Sequence, residues 1–160
     1  MSNNRSSRQR APQTATERKH TELGDIVNNG IAQFKVSAAT PRSAYCHLAR
    51  LFLAGFDNNG QPLPTDVKVN QVRFTALGTA IASIIFVADN LVKGGVATYA
   101  TTETEYLDGE DKDASRRSGP RMVMTLTRVA GWNYKTDEDL KKSKIYRKNV
   151  LKEDVQVDDM

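Results

Sequence analysis

Cysteine is almost absent: Cys46 is the only one among 160 residues. A single cysteine builds neither a disulfide framework nor a Cys-rich zinc site, and such a chain fits a reducing compartment. Long apolar runs are missing too. The longest, Ala80 to Val92, is broken by Ser83, Asp89 and Asn90. It falls short of the roughly 20 residues a membrane-spanning helix needs, so no membrane partner is expected. No apolar h-region stands near the N-terminus, so no secretory signal is expected either. Glycine-rich phosphate loops of the GxGxxG or P-loop type do not occur.

Catalytic pairings are equally scarce. Cys46 and His47 are neighbours in a segment with helical periodicity. Adjacent residues on a helix point about 100° apart and do not face each other, so Cys46 reads as a small core residue rather than a nucleophile. His20 has no metal-ligating companion at useful spacing. The acidic group Asp108, Glu110, Asp111 and Asp113 lacks the glycine position and closing glutamate of an EF-hand, and reads as a solvated turn. The sequence therefore predicts no enzyme, no catalytic residue, no metal, no cofactor and no small-molecule substrate.

What is present is a lean globular composition, 39% hydrophobic and 26% charged, with a net charge of +4. That supports one packed domain with polar ends. Residues 1–23 form a basic tail in which Arg5, Arg8, Arg10, Arg18 and Lys19 sit among Ser, Asn, Gln and Thr. It buries too little apolar surface to offset its ordering entropy. Its Arg and Ser content resembles a transit peptide, but Glu17 and the missing amphipathic stripe argue against one. Residues 24–130 carry the periodic segments, and residues 131–160 a charged extension. There Thr136 is a candidate cap for a partly helical stretch.

Within the central part, Ile31 to Ser37 alternates as a strand, and no strand is expected before it. Thr40 and Pro41 mark a helix start, and Tyr45, Leu48, Ala49 and Phe52 follow at helical spacing up to Gly55. Val67 to Ala76 is a second strand, with its regular part starting near Asn70 and Gln71. Gly78 ends it, and Thr79 caps a second helix through Val92, stopped by Gly94-Gly95. That helix is apolar nearly all round, so it needs cover on more than one side. Val96 to Tyr106 and Arg121 to Val129 alternate as two strands joined by a long polar connection, a hairpin with a protruding tip. Tyr99 and Tyr106 on it could stack on unpaired bases, but tyrosine in strands is more often a packing residue. The order β-α-β-α-β-β is that of a two-layer α+β sandwich.

The run Gln71-Val72-Arg73-Phe74-Thr75-Ala76-Leu77-Gly78-Thr79-Ala80-Ile81, with Thr40-Pro41 before it and an arginine-bearing hairpin loop after it, resembles the Alba superfamily. There a strand ends in a small residue, Gly and then Ala-Ile just before the second helix. The resemblance spans residues 24–130 and implies an Alba-like sandwich with a protruding β-hairpin arm. It also implies a homodimer, or a heterodimer with an Alba paralogue, that binds RNA, single-stranded or structured, and possibly DNA. Carried over by position, the nucleic-acid contacts are Arg42 in the turn before the first helix, Gly78 and Thr79 after the second strand, and Arg116, Arg117 and Arg121 on the arm. Ile84, Ile85 and Phe86 would face the second subunit. The archaeal pattern has lysines where this chain has Ala39 and Thr40, and basic residues where it has Leu77 and Thr79. Each missing cation removes a phosphate contact. The departures favour a eukaryotic Alba-like RNA-binding protein over a duplex-coating one. The expected role is in mRNA stability, translation regulation or ribonucleoprotein assembly, in the cytoplasm with some nuclear access. The alternatives are an RNase P or MRP-type subunit, a chromatin DNA-binding protein, or a dimerising assembly module without nucleic-acid binding of its own.

Overall fold

A computed structural model describes residues 26–108, 118–141 and 148. The described chain enters its sheet through a two-residue turn. Strands β1 (Val27–Asn28) and β2 (Ile31–Lys35) pair antiparallel across Asn29 and Gly30, with φ of 52° and 78°. Two consecutive positive φ values define the hairpin turn whose twist matches the strands, and Asn-Gly is the dipeptide that adopts it most readily. Periodicity missed β1 because two residues show no alternation, although the Asn-Gly signal was there to be read. The Gly30 carbonyl also accepts the Asn70 and Gln71 N–H groups, which fixes where the next strand begins.

Helix α1 (Arg42–Ala54) follows. Pro41, rather than Thr40, holds the cap position, with extended backbone and no capping side chain. The helix buries Tyr45, Cys46, Ala49, Phe52 and Leu53. It closes at Gly55, where the Phe56 N–H reaches back to the Leu51 carbonyl, the six-to-one bond of a Schellman turn. Cys46 is buried in the core, as expected of a small apolar residue. After the Asp57–Pro64 loop, strand β3 (Gln71–Leu77) lies parallel to β2. A 3-10 turn (Gly78–Ala80) leads directly into helix α2 (Ile81–Lys93). Thr79 therefore lies inside the turn and does not cap the helix.

Strands β4 (Ala97–Leu107) and β5 (Gly119–Arg128) form the hairpin, with a register shift between Tyr99 and Thr101. The sheet order is β1-β2-β3-β5-β4, so β5 inserts beside β3 and β4 becomes the outer edge. The layered α+β expectation holds, with β1 added. Ala32, Val72, Phe74, Ala76, Met124 and Leu126 point to the helices and meet Phe52, Ile84, Val87 and Leu91. Phe34 links the layers, edge-on to Phe52 at 5.5 Å and stacked on Phe74 at 5.6 Å.

Residues after 130 also make contacts with this unit. Arg50 on α1 is 1% exposed and donates from Nε to Asp137 Oδ2 at 3.2 Å and from Nη1 to Asn90 Oδ1 at 2.8 Å. Trp132 Nε1 donates to the same Asp137 oxygen at 3.1 Å. The other carboxylate oxygen accepts the Leu140 N–H at 3.0 Å, so Asp137, not Thr136, caps the short helix α3 (Glu138–Lys141). Leu140 packs on Leu51, and Tyr134 meets Phe56 edge-on at 5.5 Å. A buried charge without its partner is costly, typically about 3–5 kcal/mol when one member of a pair is removed. Asp137→Ala should therefore lower unfolding stability by about 3 kcal/mol or more in a urea titration. A loss below about 0.5 kcal/mol would show that Arg50 does not depend on this carboxylate.

Candidate nucleic-acid interface

Because β2 and β3 run parallel, both leave the sheet at the same edge, and the turns that follow them stand side by side. Ligands of open α/β sheets commonly sit outside such strand ends. Here the turn after β2 and the turn after β3 enclose a cleft of about 710 Å³, whose lining includes Lys35, Ser37, Ala39, Leu77, Thr79 and Arg121. The first turn is held internally. The Ser37 N–H donates to the Tyr45 hydroxyl at 2.8 Å, and the Ser37 hydroxyl accepts the Ala39 N–H at 3.2 Å. In the second turn Gly78 has φ of 54°, and nothing lies within 4 Å of the point where a Cβ would stand. The backbone conformation, not crowding, is what requires glycine there.

Arg121 enters the cleft from β5, opposite Leu77 in the register. It donates to Glu105 Oε1 at 2.8 Å across the hairpin. Both side chains are more than a third exposed. An exposed pair of this kind contributes about 0–1 kcal/mol, so the guanidinium can exchange this carboxylate for a phosphate at little cost. Beyond Arg121 the hairpin continues without β3, through the pairs Tyr106–Pro120 and Leu107–Gly119. Arg116 and Arg117, expected at its tip, lie outside the described residues.

Thr79 and Arg121 thus line one cleft beside the Gly78 turn. Arg42 does not line it. Its guanidinium carbon stands 5.2 Å from the centre of the Phe86 ring on α2, a cation–π contact that ties the start of α1 to the second helix. The three residues expected at a dimer face separate. Ile84 is fully buried in the core of its own subunit and offers no surface, whereas Ile85 and Phe86 are 51% and 45% exposed. On α2 the stripe Ile84, Val87, Ala88 and Leu91 faces the sheet, so Ile85 and Phe86 turn outward.

Tyr99 and Tyr106 are not packing residues as expected, being 53% and 72% exposed. The register sets Tyr99 opposite the core residue Leu126, and Tyr106 two residues beyond Thr104, the partner of Met122, so both stand on the helix-facing side of the sheet. β4 is the outermost strand, and the helices cover only its start, where Ala97 is buried in the core, leaving Tyr99 and Tyr106 beyond them. Sequence reasoning also passed over Lys35 and Leu77. The clue for both was that they end parallel strands, which becomes visible only once the pairing is known. Among the described residues no three His, Cys, Asp or Glu side chains converge as a metal site would require.

The sequence matches no protein-family model and no curated protein. The fold does find a counterpart: the crystal structure of ALBA1 from Trypanosoma brucei superposes with a TM-score of 0.51, at 15% identity, over 75% of this chain and 89% of that one. This chain has an Alba-like fold. The Alba-like frame accounts for the paired strand-to-helix turns and for the long hairpin beside them.

Gly78→Ala should cost about 1 kcal/mol of stability through left-handed strain alone. Urea unfolding measures it, and a loss of several kcal/mol would mean that the added methyl group meets packing the structure does not contain.

Proposed function

We propose that this chain is a non-catalytic, Alba-like nucleic-acid-binding protein that acts on RNA in preference to duplex DNA. The observation that carries the reading is the convergence, on an Alba-like fold, of Lys35, Arg121 and two strand-to-helix turns at one cleft beside the base of an arginine-bearing hairpin. Arginine forks to phosphate oxygens and stacks on unpaired bases, so a hairpin with Arg121 at its root and Arg116 and Arg117 in its connection suits both contacts. The missing lysines at Ala39 and Thr40 reduce the phosphate contacts available to a duplex. The cellular role we propose is in mRNA stability, translation or ribonucleoprotein assembly, in the cytoplasm with access to the nucleus.

Dimer formation belongs to the same proposal. Ile85 and Phe86 on α2 and Tyr99 and Tyr106 on β4 are large apolar side chains left exposed, the kind that a partner covers. A second Alba-like chain, identical or paralogous, suits it, and two copies would present two arms. The rival reading, an assembly module without nucleic-acid binding, draws on the same exposed side chains.

Fluorescence titration with a mixed-sequence single-stranded RNA and a matched DNA duplex at two salt concentrations tests the central claim. Sub-micromolar, steeply salt-dependent RNA binding is expected, with weaker duplex binding. Replacing Arg116, Arg117 and Arg121 together by Ala should weaken RNA binding several-fold and flatten its salt slope by about 0.7 for each phosphate no longer neutralised. Unchanged binding would remove the arm from the mechanism, and no binding to either nucleic acid would favour the assembly module. In sedimentation, Ile85→Asp with Phe86→Asp should convert a dimer to a monomer. A native chain that is already monomeric at tens of micromolar would refute self-association through this face.

A further inference from the structure

We propose that the cleft seats one unpaired base of a single strand, and that Arg73, on the open face of the sheet, holds a flanking phosphate. The proposal rests on the nucleic-acid reading above and makes it specific.

The cleft is poorly built for phosphate alone. Its walls include Ala38, Ala39, Ala76 and Ala80, with Leu77 and Leu107. A phosphate pressed against such groups loses hydration and gains no donor in exchange. A nucleobase has the complementary character, with apolar faces and polar edges. Leu77 is 39% exposed, and a base lying on it would remove apolar surface from water. Hydroxyls of Ser37, Thr75 and Thr79 stand around the same space for the base edge. The Ser37 oxygen already accepts the Ala39 N–H, which leaves its own O–H to donate. Among the described lining residues the cations are Lys35 and Arg121, two charges for the backbone on either side of one base.

A second hollow, of about 280 Å³, continues from the first. The two share Thr75 and Arg121, and the second adds Gln33, Arg73, Thr101, Glu103, Val123 and Thr125 on the sheet face turned away from the helices. Arg73 sits at the middle of β3, half-buried, with its Nε donating to Thr125 Oγ1 at 3.2 Å. That bond orients the guanidinium and leaves its terminal nitrogens to fork onto a phosphate. Gln33, Arg73, Thr125 and Thr101 lie in one row across four strands, so a polar track crosses the hollow. Glu103 lines the β4 side of this hollow, and with Glu105 beside it repels phosphates, so a chain is confined to the β2–β3–β5 side, where Arg73 stands. A base within a duplex keeps its faces stacked and its edge paired, so it enters such a cleft only after extrusion. The arrangement therefore selects single strands.

The test uses the full chain and a 12-nucleotide RNA carrying one central 2-aminopurine, alone and paired to its complement. The native chain should bind the single strand more tightly than the duplex and change the 2-aminopurine emission. Ala39→Phe fills the cleft and should lower single-strand affinity about tenfold, the scale of one base-stacking interaction, with a matching fall in the single-strand to duplex ratio. Arg73→Gln should flatten the single-strand salt slope by about 0.7. Native-like single-strand binding by Ala39→Phe, or an unchanged emission on binding by the native chain, would overturn the base seat. An unchanged slope for Arg73→Gln would overturn the phosphate contact. Equal, salt-dependent binding to single strand and duplex would sink this proposal while leaving the nucleic-acid function standing; no binding to either would end both.

Discussion

The parallel pairing of Ile31–Lys35 with Gln71–Leu77 is the constraint from which the rest of the molecule follows. Two parallel neighbours cannot be joined by a tight turn, so the chain must cross back over the sheet, and α1 makes that crossing. The same pairing makes both strands exit at one edge. The two turns that start the helices are then forced together, and the cleft between them is a consequence of sheet direction rather than of any one side chain. The Gly30 carbonyl, accepting from Asn70 and Gln71, sets the register that keeps the two exits level.

Around that centre the chain divides its chemistry by face. One side of the sheet is apolar and carries both helices; the other is polar and uncovered among the described elements. The long hairpin belongs to both sides because it outruns β3 and the helical layer. Its inner strand β5 lends Met124 and Leu126 to the core and Arg121 to the cleft, by the simple alternation of a strand. Its outer strand has helix cover only at its start, at Ala97, which explains why two tyrosines further along face the core side yet remain in water.

The Arg50–Asp137 pair closes the opposite end. It joins α1, α2 through Asn90, and the segment after the sheet into one unit, and it is satisfied on nearly every side by hydrogen bonds. Satisfaction of this kind is what makes a buried charge tolerable and also what makes it selective for one arrangement of the three segments. The clamp lies at the far end of the helices from the cleft, so stability and binding are carried by different residues.

Much of the body could be read from local signals. Alternation located β2, β3, β4 and β5, helical spacing with Pro41 and the glycines located α1 and α2, and the burial of Cys46 followed from its chemistry. These succeed because backbone preference and side-chain periodicity act within a few residues. The tertiary structure alone decided that β5 lies between β3 and β4, that Ile84 turns inward while Ile85 and Phe86 turn out, and that Arg42 stacks on Phe86 instead of lining the cleft. It alone joined Arg50 to Asp137, 87 positions away. Such contacts depend on which surfaces meet after the chain has packed, and no local pattern encodes them.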